Sequence, residues 1–311
     1  MVTKIGTNEI LTLFNSKDIE NAEIGIKISG ASTLNNPKDN TVLFLKKYLE
    51  EYLGIIEKVK GCCIFLHTDY KGKTKTQSNV LIFGDNPRLD FARFLQTFFT
   101  PKTSPSIAQT ACIGRNISLG NDVRIGEYCV IGDDVVIGDR TEIRHHVILN
   151  ARTIIGNDCL IKSNAVIGEE GFGFEKDENG IPIRIPHMGR VVIGKGVEIG
   201  AGSVIARGTI DNTWIDDNVK IDDQVFIAHN VRVGANCYII ACSEISGSAR
   251  IGNGCWLGPN CSIMNGISIG ERCIVGLGTV VIKSIPGNVV VAGSPARILR
   301  ENAESDKKYE T

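Results

Sequence analysis

From Ile113 onward an apolar side chain returns every sixth residue. The series runs Ile113, Leu119, Ile125, Ile131, Ile137, Ile143, Leu149, Ile155, Ile161 and Ile167 without a failure. It resumes at Ile193, Ile199 and Ile205, slips by four residues, and continues from Ile215 through Ile221, Ile227, Val233, Ile239, Ile245, Ile251, Leu257, Ile263, Ile269 and Val275 to Val281. Gly often follows the anchor, as at Gly126, Gly138 and Gly252. Such a period predicts short strands joined by tight corners, with three hexads closing one triangular coil of roughly 18 residues. The anchors point inward and stack, and neighbouring coils satisfy each other's backbone groups. Twenty-five anchors predict about eight coils, a prism about 40 Å long at the spacing of paired strands. The fold class is therefore mainly β, a parallel β-helix.

Two residues before each anchor sits a small or β-branched side chain, such as Ala111, Val123, Thr141, Ala165, Ser203 or Val219. Six of the ten cysteines (Cys129, Cys159, Cys237, Cys255, Cys261 and Cys273) share this phase. A thiol buried there acts as a small apolar side chain. Cys62, Cys63, Cys112 and Cys242 have no ligand-like spacing with histidine, so no metal site is expected.

Residues 1–100 lack the hexad. Leu45 to Val59 reads as an amphipathic helix, Cys62 to His67 and Asn79 to Phe83 as strands, and Pro87 to Phe98 as a second helix, giving a small α/β domain. Residues 101–105, bounded by prolines, read as a linker, and 106–285 as the solenoid. An interruption over 169–190, with Gly171-Phe172-Gly173-Phe174, reads as a loop projecting from the prism. Its exposed aromatics would either cover a substrate or pack on an adjacent subunit. Over 286–311, Pro-Gly turns cap the solenoid, and Ala296 to Tyr309 form a short charged helix or a disordered tail.

Composition narrows the function. Thirty-four Lys and Arg nearly cancel 35 Asp and Glu, so no global basic field points to nucleic acid. Aromatics at 6% beside 34 Gly suit a tightly wound solenoid. Neither a transmembrane run nor a signal-like N-terminus is present, which predicts a cytoplasmic protein.

Of five histidines (His67, His145, His146, His187 and His229), His229 stands out. It lies two residues past Ile227, at or near a corner where side chains reach outward. One coil on is Gly247, whose open backbone would present an N–H to a developing oxyanion; two coils on is Asn265. Asp222, one hexad earlier, is a candidate to orient the imidazole. No Ser or Cys sits in a nucleophile elbow. The chemistry expected is direct transfer, with His229 taking a proton from an amine or hydroxyl that attacks a thioester.

The hexads resemble those of hexapeptide-repeat acyltransferases, and that resemblance implies left-handed winding and a homotrimer with sites between prisms. Gly171-Phe172-Gly173-Phe174, Ile185-Pro186, Gly189-Arg190-Val191-Val192-Ile193-Gly194, Arg207-Gly208, Lys220-Ile221-Asp222 and Ile227-Ala228-His229-Asn230-Val231 look like the UDP-3-O-(3-hydroxyacyl)glucosamine N-acyltransferases of lipid A biosynthesis. Asp85-Asn86-Pro87 with Phe91-Ala92-Arg93 is similar to the helix joining that family's uridine-binding domain to its prism. Over roughly residues 20–285 the resemblance implies His229 as base, Asp222 as its support and the Gly247 amide as oxyanion donor. It also implies nucleotide-base binding by the N-terminal domain, with Phe44, Lys47 and Tyr48 as acceptor-site candidates beside Phe172, Phe174 and His187.

There are two departures from the family. A second histidine that it carries near Ile263-Met264-Asn265-Gly266 is missing here. The ending Val291-Ala292-Gly293-Ser294-Pro295-Ala296-Arg297 resembles coenzyme A-dependent sugar N-acetyltransferases. Asn265, Gly276, Gly278 and Lys283 are then donor-binding candidates, although solenoid capping would also explain the last three. The expectation is acyl transfer from acyl-coenzyme A, with no permanently bound cofactor, to a nucleotide-linked amino sugar. The alternatives are the lipid A enzyme itself with acyl carrier protein, a γ-class carbonic anhydrase, and a non-catalytic solenoid.

Overall fold

The computed structural model describes residues 4–100 and 104–302. The chain divides into two compact units, Met1–Thr103 and Ser104–Thr311. Two expectations fall partly outside the described residues: the linker, at 101–103, and the tail, from 303 onward.

The first unit is a five-stranded sheet in the order Asp18–Glu20, Val80–Gly84, Cys63–His67, Thr41–Leu45 and Gly30–Ala31. Only the Asp18–Glu20 edge runs antiparallel. Apolar clusters cover both faces. The helix Pro87–Phe98 starts where expected, because Asn86 caps it by accepting from the Leu89 N–H at 3.1 Å and Pro87 opens its first turn. The helix expected over Leu45 to Val59 is corrected. Thr41–Leu45 is a strand, followed by one 3-10 turn at Glu50–Tyr52 and a short helix at Leu53–Lys58. Val42, Leu43 and Leu45 form a continuous apolar run buried on both sides, as central parallel strands require.

In the second unit each hexad supplies a short strand, and successive coils pair in parallel and in register, with Arg124 opposite Glu142, Val130 opposite Ile148 and Val136 opposite Ile154. Three faces result. The first runs from Ser106–Ile107 to Val289–Ala292, the second from Cys112–Ile113 to Val280–Val281, and the third from Ser118–Leu119 to Ser268–Ile269. They carry ten, nine and eight parallel strands among the described residues, once the antiparallel strand Arg297–Glu301 is set aside. The prism thus has nine coils rather than about eight. Ser106–Ile107 precedes the first anchor recognised in the sequence, and Val289–Ala292 adds a rung after Val281.

The local rule is simple. From Ile125 on, the anchor is buried, as is nearly every residue two before it, and the residue between them mostly faces out; in the first coil Ile107, Ile113 and Leu119 are exposed. The third residue after the anchor takes the left-handed conformation, as at Asn116, Asp122, Asp158 and Asn164 (φ 56° to 64°). Asn, Asp and Gly accept that conformation best. The six in-phase cysteines lie in the core, at most 2% exposed. Cys237, Cys255 and Cys273 stack one per coil, each donating its thiol to a backbone carbonyl at 3.0 to 3.1 Å.

Two irregularities interrupt the winding. Ile167 pairs with Ile205 across a projecting excursion that contains the hairpin Phe174–Lys176/Pro182–Arg184. Ile205 then pairs with Ile227 across the four-residue slip. The excursions are tied together, Met188 and Gly189 donating to the carbonyls of Thr209 and Gly208 at 2.7 and 3.0 Å. At the far end, Arg297–Glu301 is an antiparallel strand on Val289–Ala292, where a charged helix was expected. A charged hairpin strand closes the open sheet edge.

Candidate active site

His229 follows the rung Phe226–Ile227, of which Ile227 is buried, and precedes Asn230, whose φ of 61° makes the corner. The turn points the imidazole outward, as the hexad predicts. Register stacks the next coil directly on it, with Phe226 opposite Glu244 and Glu244 opposite Ser262. Gly247 therefore adjoins the ring; a Cβ there would lie 2.7 Å from His229 Nε2. Gly171, on the projecting loop, closes the other side, where a Cβ would lie 3.1 Å from His229 Cβ. Only glycines leave space for the imidazole. His187 meets it edge-on, with ring centroids 5.4 Å apart.

The proton on His229 can be placed by elimination. Asn230 Oδ1 accepts from the Thr209 N–H and hydroxyl, both at 3.1 Å. A backbone N–H can only donate, so the Asn230 atom in that position is the oxygen. The same oxygen lies 3.0 Å from His229 Nδ1, which must then carry the proton. Nε2 keeps its lone pair and faces Gly247. The Gly247 N–H has no acceptor among the described hydrogen bonds, so a free base and a free donor sit side by side. Together they can accept a proton from a nucleophile and hold an oxyanion.

Asp222 occupies a different corner. Its carboxylate accepts from the Ala241 N–H at 3.3 Å, and no hydrogen bond joins it to His229 within the chain. Within the chain the side chain that meets His229 Nδ1 is that of Asn230, itself held by Thr209. Neither was singled out in the sequence, although the slip that brings Thr209 there was visible. His187 was expected on an exposed loop, yet it is 3% exposed. Its Nδ1 donates to the Ile185 carbonyl at 3.0 Å, leaving Nε2 without a partner among the described residues. Phe172 is 84% exposed on the same loop, with Phe174 4.9 Å away.

Asn265 lies in line with Gly247, since the adjoining Gly266 donates to the Gly247 carbonyl at 2.9 Å. Gly276, Gly278 and the exposed Lys283 sit further along, beside the exposed Leu277. In the first unit, Phe44 and Lys47 line a cavity of about 520 Å³ with Lys46, Tyr52 and Phe91. Tyr48 does not line it; its ring packs on Tyr70 at 4.9 Å beneath the Lys73 ammonium. His145 accepts from the Glu127 N–H at 3.0 Å, and His146 stacks on Tyr128.

The family model described as bacterial transferase hexapeptide (six repeats) matches residues 116–151, 134–169 and 248–283. A UDP-3-O-acylglucosamine N-acyltransferase of Caulobacter sp. (strain K31) is 36% identical over 132 residues, 42% of this chain and 38% of that protein. The galactoside O-acetyltransferase of Escherichia coli (strain K12) is 48% identical over 44 residues, 14% of this chain and 22% of that protein. These matches span well under half the length of either relative. Among solved structures, the UDP-N-acetylglucosamine O-acyltransferase of Moraxella catarrhalis RH4 superposes with a TM-score of 0.60 at 26% identity, covering 66% of this chain and 77% of that one. Repeat, fold and relatives together support a place in the hexapeptide-repeat acyltransferase family.

Proposed function

We propose that the protein is an N-acyltransferase that moves an acetyl or hydroxyacyl group from a thioester to the amine of a nucleotide-linked amino sugar. The observation that carries this reading is the pairing of the His229 Nε2 lone pair with the unpartnered Gly247 N–H. In this mechanism His229 takes a proton from the attacking amine, and the Gly247 amide holds the oxyanion of the tetrahedral intermediate. His229 then returns the proton as the thiolate leaves. Binding the acceptor beside Phe172, Phe174 and His187 excludes water from the thioester.

The relatives named as nucleotide-sugar acyltransferases support the acceptor class. The Phe44–Lys47 cavity, also lined by Phe91, whose ring lies tilted against Phe44 at 4.9 Å, suits an aromatic base with an anionic tail. Coenzyme A is the proposed donor, received along Asn265, Gly276, Gly278 and Lys283. The second reading is the lipid A enzyme itself with acyl carrier protein; it is favoured by alignments over 132 and 109 residues, at 36% and 34% identity, to relatives named as UDP-3-O-acylglucosamine N-acyltransferases. Assembly as a homotrimer is supported by outward apolar residues on the second and third faces, among them Val130, Ile148 and Val136. The first face instead carries ion pairs such as Arg124–Glu142 and Lys162–Glu198. Among the described residues no helix is long and apolar enough to cross a membrane, and the proposed location is the cytoplasm, in cell-surface polysaccharide or lipopolysaccharide synthesis.

The test is an assay of the purified protein with acyl-coenzyme A and acyl carrier protein thioesters against UDP-linked amino sugars. Amide formation with either donor is expected and identifies it. Absence of turnover with every amino sugar would overturn the reading.

A further inference from the structure

On the solenoid surface, several arginines are answered one coil on by a carboxylate. Arg115 meets Asp133, Arg124 meets Glu142 and Arg140 meets Asp158, each 18 residues apart. The third face departs from this pattern, because Arg232 stands opposite Arg250 in register. Both are exposed, and neither guanidinium has an ion-pair or hydrogen-bond partner among the described residues. Paired strands are about 4.8 Å apart, and like charges directly opposite destabilise a sheet. This opposed pair stands next to the candidate site. Arg232 follows His229, and Arg250 follows Gly247, by three residues.

The two arginines line a cavity of about 500 Å³ together with Trp214 and Asp216. Trp214 lies one rung below Arg232 and offers an apolar wall. Asp216, the single carboxylate of the lining, is not within ion-pair distance of either guanidinium. The groove therefore keeps a net positive charge, held on two planar forks that bind phosphoryl oxygens in bidentate fashion.

We propose that Arg232 and Arg250 form an anion subsite for a phosphoryl or pyrophosphoryl group of a co-substrate. The assignment rests on the acyltransferase reading only for the identity of that co-substrate, since a nucleotide-linked sugar and coenzyme A both carry the group.

Calorimetric titration of the full chain with inorganic pyrophosphate at low salt tests it. Saturable binding is expected, weakened at least tenfold in Arg232→Gln and in Arg250→Gln and unchanged in Lys195→Gln, a control on another corner. Without ligand, Arg250→Gln should melt about 1 to 4 °C higher as the repulsion is relieved, and pyrophosphate should raise the melting temperature of the parent but not of the variant. Displacement of pyrophosphate by UDP or by coenzyme A then shows which co-substrate owns the subsite; displacement by neither overturns the substrate assignment. Binding equal in parent and arginine variants overturns the subsite. So does loss of assembly in Arg250→Gln without any pyrophosphate binding, which would make the arginines a contact with a second copy. Binding without turnover of any amino sugar would remove the acyltransferase reading and leave the anion subsite standing.

Discussion

Replacing Asn230 by glycine removes one oxygen that gathers three contacts: His229 Nδ1 at 3.0 Å, and the Thr209 N–H and hydroxyl at 3.1 Å each. The corner survives, because glycine adopts the φ of 61° freely. What is lost is the acceptor that pins the imidazole proton on Nδ1. Partners that orient a functional histidine in this way are worth about 10- to 100-fold in activity, or about 1.4 to 2.7 kcal/mol. Asn230→Ala loses the same contacts and must also force a Cβ into the left-handed region, at about 1 to 2 kcal/mol. Steady-state acyl transfer and thermal melting separate the two effects. Both variants should lose the same 10- to 100-fold in kcat/KM, while Asn230→Ala should melt below Asn230→Gly. Activity in Asn230→Gly within about threefold of the parent, well short of the loss such partners cause, would mean that Asn230 does not set the proton on His229.

Two further changes probe the same structure. In Gly247→Ala the methyl would lie 2.7 Å from His229 Nε2, so the ring must move; kcat/KM should fall by about 100-fold while melting changes little, and full activity would remove Gly247 from the site. At alkaline pH the core thiols should cost stability. The hydrogen bond it shares with Cys237, in which the Cys255 thiol keeps its proton, pushes Cys255 up to about 12, and burial pushes Cys261 up to about 11, from an ordinary 9.0. Because the folded values are raised, their contribution is complete below about pH 9 and is lost as pH rises toward 11 to 12, by up to about 1.4 kcal/mol per pH unit per thiol. Urea midpoints should hold from neutrality to pH 9 and fall above it, and a flat profile to about pH 11 would contradict the packing of these thiols.

The hexad made the rungs legible because each anchor has a single inward direction and its neighbours repeat it coil after coil. The same ruler aligns Gly247 and Asn265 with His229 from the sequence alone. It failed where the pattern is carried by other residues. Ser106–Ile107 and Val289–Ala292 form rungs without a preceding or following series to mark them, so the coil number came out low. Thr41–Leu45 was absorbed into a helix because a short apolar run does not distinguish a buried strand from a helical face. Asn230, and not Asp222, meets His229 within the chain, because a spacing along one chain does not reveal which corner a side chain faces. Likewise, His187 lies beside His229 through a loop closure, fastened by Met188 and Gly189 to Thr209 and Gly208, that no periodicity encodes.

Acyl transfer by His229→Ala, compared with the parent under saturating thioester and a UDP-linked amino sugar, bears most directly on the role of this corner. If His229 Nε2 removes the proton from the attacking amine, turnover should fall by about 100-fold or more with melting and pyrophosphate binding unchanged. Retained turnover would show that the amine attacks without this base.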